Sequence, residues 1–252
     1  MFSRQLARLV LVVLAVAGLA VAVPAAQISA LFSDDITLHE TTTSSGMPMG
    51  GGKESQGTSY FSGNGMKRSA EKRDTIIRYD QAKIITVDHG KKTYTEMTTE
   101  EMQRMVESAA AKANLKKEEM EAMRQMMGQM ADQITVTRQG PGETIAGYAT
   151  EKYLVKMAMM EMQIWTAPAL SVPAVYYDAM KLSIVPNPMF DMGKLYDEFK
   201  KIKGITVKTE MSMKMMGMNM TTTTVVTSVE KGKIPASVFE VPAGYKAVPM
   251  KF

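Results

Sequence analysis

A change of hydrophobic period at Thr98 limits what this chain can fold into. Before it, residues 34–98 carry short runs rich in threonine, isoleucine, valine and tyrosine, in which apolar and polar residues alternate. That two-residue period belongs to strands. After it, Met102, Met105, Val106, Ala109, Ala113, Met120, Met123, Met127 and Met130 follow one another at three- and four-residue steps, the period of a helix. From Ile134 the alternation returns. Strands before and after one helical block, with no regular strand–helix exchange, predict an α+β chain built on a large antiparallel sheet.

The punctuation fits that layout. "DDITLHETTT" is a strand, and the Gly, Ser and Pro content of residues 44–56 predicts a mobile loop. A hairpin turns at Gly63-Asn64-Gly65, and "KIITVDHGKKTYTEMT" is two strands joined across 88–91. Thr98 as N-cap with Glu101 three residues on is a capping box, so 98–133 is expected as a helical insertion, with Asn114 a candidate break. "ITVTRQ", a Gly140-Pro141-Gly142 turn and "TIAGYATEKYLVKMAMMEMQIWTAP" resume the strands. Short helices are expected in "VPAVYYDAM" and "DMGKLYDEFKKI", and two further strand regions close the chain.

Residues 1–25 are expected to be a signal peptide rather than fold. Arg4 and Arg8 precede an unbroken apolar run over 9–23, and Val23-Pro24-Ala25 is a small-residue cleavage site. The expected mature chain, 26–252, is a single soluble domain, exported and periplasmic. The chain has no cysteine, which excludes a lipoprotein anchor, disulfides, cysteine nucleophiles and thiolate metal sites. Removing Arg4 and Arg8 lowers the formal charge from +4 to +2, too little to imply nucleic acid.

Several segments carry a resemblance. "TIIRYDQAKIITVDHGKKTYTEMTTEE", "TIAGYATEKYLV", "GITVKTE" and "KGKIPASVFEVPAGYK" resemble bacterial exported proteins grouped as domain-of-unknown-function family 4412. That family is similar in layout to the LolA/LolB-like lipoprotein carriers. The resemblance implies a curved, half-closed antiparallel barrel with helices covering its concave face, and a hydrophobic ligand. It supplies no functional residues to carry over.

Catalytic signatures are missing. Ser69 and Lys72 match S-x-x-K, but Ser69 lies late in a hairpin and the companion motifs are absent. There is no G-x-S-x-G, no Walker loop, and no G-x-G-x-x-G after a strand. His39, alternating with threonines, and His89, in the turn "DHGK", are expected as ordinary surface histidines. The expected class is therefore not an enzyme, with no cofactor and no metal.

What remains is methionine. "MSMKMMGMNM" (211–220) read as a hairpin turning at Met216-Gly217 sets Met215 against Met218, Met213 against Met220 and Met211 against Thr222 on one face. Three uses compete. Methionine is an adaptable core residue and suits promiscuous apolar surfaces; its thioether also suits Cu(I). The leading functional expectation is a cleft for a hydrophobic small molecule or lipid, lined by Met120, Met123, Met127, Met130, Met162, Trp165, Met213, Met215, Met218 and Met220. A Cu(I)-binding protein of the envelope and a module gripping another envelope protein are the alternatives. A monomer is expected.

Overall fold

The computed structural model describes residues 35–45, 53–63, 65–78, 81, 83–98, 100–101, 104, 108, 118–119, 121–122, 125–126, 129, 133–157, 160–170, 197–215 and 218–249. Within them lie strands β1 (Ile36–Ser45), β2 (Lys53–Ser62), β3 (Gly65–Ala70), β4 (Arg73–Arg78), β5 (Lys83–Asp88) and β6 (Thr93–Thr98). The second half adds β7 (Thr135–Pro141), β8 (Glu151–Met157), β9 (Met160–Ala167), β10 (Ile205–Met215), β11 (Met218–Lys231) and β12 (Lys246–Ala247). They form one curved, unclosed sheet in the order β12-β6-β5-β4-β3-β2-β1-β11-β10-β9-β8-β7. All its ladders are antiparallel except β12 on β6.

Two meanders make this order, because each short strand folds back on the one before it. β1 to β6 is the first and β7 to β11 the second. They meet where β1 pairs with β11, from Ile36 opposite Lys231 to Ser45 opposite Thr221, with one bulge beside His39. β6 and β7 consequently stand second and twelfth in the sheet, ten places apart. The helical insertion joins these two distant strands.

The capping box is present at the start of that insertion. The Thr98 amide donates to Glu101 Oε2 (2.8 Å) and the Glu101 amide to Thr98 Oγ1 (3.1 Å). Helical residues described between 100 and 129 are exposed, except half-buried Met126. The apolar stripe itself, including Met120, Met123, Met127 and Met130, lies outside the described residues, as do the expected signal peptide and "VPAVYYDAM". Helices covering a concave face are therefore not confirmed among the described residues. Residues 197–199 are helical, and Phe199 packs with buried Ile202 on Val136, Tyr153, Val155 and Ile164.

One local reading needs correction. The expected loop at 44–56 is shorter: Ser44 and Ser45 continue β1, and β2 starts at Lys53, because both segments find partners across the ladder. The segment "KYLVKMAMMEMQIW" holds two strands, β8 and β9, paired as far as Met157 opposite Met160. No glycine or asparagine stands between them in the sequence.

The first meander has two different faces. Phe61, Met66, Ile77, Ile84 and Met97 form one row across β2–β6, and Tyr60, Lys67, Ile76, Ile85 and Glu96 form the row on the other side. The second side is covered by the C-terminal segment. Its 3-10 helix (Ala236–Phe239) and flanks lay Ile234, Val238, Phe239, Val241 and Tyr245 over Ile76, Ile85, Val87, Tyr60 and Tyr94. Among the described residues, no helix is long and apolar enough to cross a membrane.

One turn fixes the approach to β10. Gly204 has φ +89°, and a Cβ there would overlap the Ala167 carbonyl. Left-handed backbone and contact with a main-chain oxygen both demand glycine. Gly204→Ala is expected to lower unfolding free energy by about 3 kcal/mol, measured by urea denaturation. A loss within error of zero would refute this account of the turn.

Candidate functional site: a methionine face and a histidine network

The β10–β11 hairpin has the expected register, with Met215 opposite Met218, Met213 opposite Met220 and Met211 opposite Thr222. β9 extends the pattern: Met211 stands opposite Met162, and Met213 opposite Met160. Directly opposed residues share a face, as do alternate residues along a strand. Met162, Met211, Met213 and Met220 therefore lie together on one side of the sheet. All four are half-buried. For Met215 and Met218, the backbone register alone falls within what the structure describes.

This face is bounded by two different surfaces. Toward β7 it becomes dry: Ile164, Val155, Tyr153 and Val136 are buried, with Met162 packed against them. Tyr153 fixes that end, its phenol donating to Glu151 Oε2 (2.9 Å). Arg138 clamps the same carboxylate through two hydrogen bonds (2.6 and 2.9 Å). The Arg138 hydrogen bond is the main reason that Glu151 is held below its ordinary pKa. Burial, with the hydrogen bond to Glu151 next, raises that of Tyr153. The edge strand is capped as well, since the Val136 amide donates to Glu198 (2.9 Å). Toward β1 the face turns polar: Thr42 bonds Thr224 (2.9 Å) and Ser44 bonds Thr222 (3.4 Å).

Trp165 does not belong with Met162. They stand three positions apart on a strand whose ladder with β8 has no irregularity, so alternation sends them to opposite faces. Trp165 is buried in another cluster with Ile145, Ala167, Leu170 and Val207. Its ring lies between Lys152 and Lys208, with ammonium groups 4.6 and 4.4 Å from the centroid. Lys208 is also held by Glu143 (2.7 Å) and Glu210 (2.9 Å). Gly142 gives the ring its space, since a Cβ there would sit 2.5 Å from the indole.

A second constellation is not the pair of ordinary surface histidines expected. His39 is 40% exposed and bonds Glu230 (3.2 Å) and Thr58 (3.3 Å). His89 differs: its Nε2 is 3.0 Å from Asp74 Oδ2 and its Nδ1 is 2.8 Å from the Tyr245 hydroxyl. A carboxylate only accepts, so Nε2–H donates to Asp74, and in the neutral ring Nδ1 accepts from Tyr245. Asp74 is 6% exposed and also receives Lys67 Nζ at 2.8 Å. Burial pushes the Asp74 pKa up, but hydrogen bonds from Lys67, His89 and Ser69 and the Lys67 charge outweigh it, leaving it lowered. The network fastens the C-terminal segment to β3, β4 and the turn after β5. Its signal in the sequence was Asp74 itself, two residues from Ile76 and so on the same face of β4. Among the described residues, no three His, Cys, Asp or Glu side chains group as a metal site.

A family model described as "Domain of unknown function (DUF4412)" matches residues 105–245, more than half of the chain. The matched range holds the methionine face and ends at Tyr245. No curated protein matches the chain. Among solved structures, PNGF-II is 14% identical with a TM-score of 0.40, covering 85% of this chain and 31% of its own. The chain thus spans about a third of that protein. The LolA superfamily protein NE2245 from Nitrosomonas europaea is 7% identical with a TM-score of 0.31, covering 87% and 98%. A DUF1329 family protein from Desulfovibrio piger is 10% identical with a TM-score of 0.24, covering 86% and 94%.

The lowered pKa of Asp74 gives a pH signature. Its pairing stabilises the fold above its ordinary value of 3.8, and that contribution drains away as pH falls below it toward the folded value. Asp74→Asn is expected to cost about 1–3 kcal/mol at pH 7. The gap from wild type should narrow at pH 3, below the ordinary 3.8, where unfolding brings proton uptake at this carboxylate and so weakens the wild type. Urea denaturation at the two pH values checks this, and an unchanged gap would refute it.

Proposed function

We propose a role for this chain, which belongs to the DUF4412 family, as an exported, periplasmic protein that binds or carries a hydrophobic ligand. The ligand is a lipid or lipidated segment, and the work is binding rather than catalysis. The observation that carries this reading is the set of four half-buried methionines, Met162, Met211, Met213 and Met220, side by side on β9, β10 and β11.

Thioether side chains are long, flexible and polarisable, and they adapt to ligands of varied shape. The gain is sufficient: burying an acyl chain is worth about 0.8 kcal/mol per CH₂. The dry end of the face, from Ile164 to Val136, gives such a chain a firm floor. The hydroxyl row of Thr42, Thr224, Ser44 and Thr222 borders it on the other side and suits a polar end. Met215 and Met218 at the hairpin tip, and Met120, Met123, Met127 and Met130 from the helical insertion, are the proposed remainder of the lining.

Met211→Gln with Met213→Gln tests this. Uptake of a fluorescent long-chain fatty acid is expected to fall about tenfold or more, each change placing an amide where the ligand needs apolar contact, while circular dichroism stays that of a β-sheet. Equal uptake by variant and wild type would sink the reading.

A further inference from the structure

Among the methionines of this sheet whose side chains are described, all but Met97 sit where water reaches them, and the buried positions beside those of β9, β10 and β11 are not methionine. Val136, Tyr153, Val155 and Ile164 are buried, and all are β-branched or aromatic. Met162, Met211, Met213 and Met220, on the same face, are half-buried, as are Met66 and Met126. Among methionines whose side chains are described, Met97 alone is buried, at 6% exposure.

Strand stability does not explain that placement, since isoleucine and valine are as apolar and favour strands more. Packing adaptability does not require the water boundary either. What methionine has and these residues lack is a sulfur lone pair that accepts an oxygen atom. The chain has no cysteine to react first, so its accessible thioethers are its oxidisable sulfur.

We propose that Met162, Met211, Met213 and Met220 form a modification site, whose oxidation to methionine sulfoxide by hydrogen peroxide releases the hydrophobic ligand and whose reduction restores binding. This rests on the binding role proposed above. The sulfur lone pair attacks the peroxide oxygen; an S–O bond forms and the O–O bond breaks. Sulfur gives up two electrons, the peroxide is reduced, and one water leaves: R₂S + H₂O₂ → R₂SO + H₂O. Two thiols of a reductase reverse the step, yielding thioether, disulfide and water.

The register makes the change concerted over a surface. Met162 opposes Met211, and Met213 opposes Met220, so each sulfoxide oxygen appears beside another. Thr222 stands opposite Met211, its hydroxyl paired with Ser44. The apolar face would then continue the polar row formed by Thr42, Thr224, Ser44 and Thr222. An acyl chain would have to cover polar sulfoxides without hydrogen-bonding them, which is costly.

The experiment uses the full chain, a fluorescent long-chain fatty acid and graded hydrogen peroxide, with sulfoxides located by peptide mass spectrometry. Oxygen is expected at the four positions before Met97. Affinity is expected to fall about tenfold or more, equal to about 1.4 kcal/mol, with circular dichroism unchanged, and methionine sulfoxide reductase should restore it. A variant with leucine at all four positions, whatever its starting affinity beside wild type, should show no change in affinity after the same treatment. The proposal is overturned if oxidised wild type, with sulfoxides at these positions, holds the probe as before. It is also overturned if the leucine variant loses affinity as wild type does, or if loss accompanies unfolding. If reduced wild type never binds the probe, the binding role itself fails and takes this proposal with it.

Discussion

The pairing of β1 with β11 holds the architecture together. Among the described strands, it is the one ladder that joins the two meanders. Ten residue pairs lie along it, and β2 and β10 flank it. The seam is mostly hydroxyl chemistry, with Thr42 on Thr224 and Ser44 on Thr222, and it turns apolar toward Ile36 and Leu38. Threonine suits such a place because it is β-branched and also hydrogen-bonds across the strands. Without the seam, the methionine strands and the β2–β6 meander would be separate sheets, each with a further open edge.

Either side of the seam, cover is supplied by different means. The first meander is closed on one side by the C-terminal segment, fixed by apolar contacts and by the Asp74–His89–Tyr245 chain of hydrogen bonds. The second is fixed near its edge by Glu198, Phe199 and Ile202. The two-residue β12 on β6 and the Glu198 bond to the Val136 amide leave less of each outer edge free to template other chains. Phe199 and Ile202 also cover the floor beside the methionines. A deformable surface therefore lies next to a rigid one, an arrangement that lets a binding face adapt while the sheet beneath it stays in register.

Local signals made much of this legible. The β10–β11 register was legible as alternation about Met216-Gly217, but a shift by one stayed open because Met-Gly is not a preferred turn pair; the ladder decides it. The Thr98–Glu101 capping box followed from two residues three apart. The break between β8 and β9 was hidden because "KMAMMEM" contains no residue that a tight turn prefers. The grouping of Trp165 with Met162 overlooked parity: an odd separation within a strand places two residues back to back. The His89 network was hidden because its members lie at positions 67, 74, 89 and 245, brought together by the sheet rather than by spacing. The strand order was invisible for the same reason, since no local pattern says that β1 must wait for β11.

That waiting has a consequence for how the chain comes to be folded. Partners along the seam are some 180 residues apart in sequence, so much of the chain must be available before the central ladder can zip. Until then β1 is the bare margin of a half-made sheet, the kind of surface that captures neighbouring molecules. The threonines and serines at 41–45 and 221–224 give that waiting margin a hydrated fringe. The residues that later lock the two halves together are thus suited to keeping each half solitary beforehand.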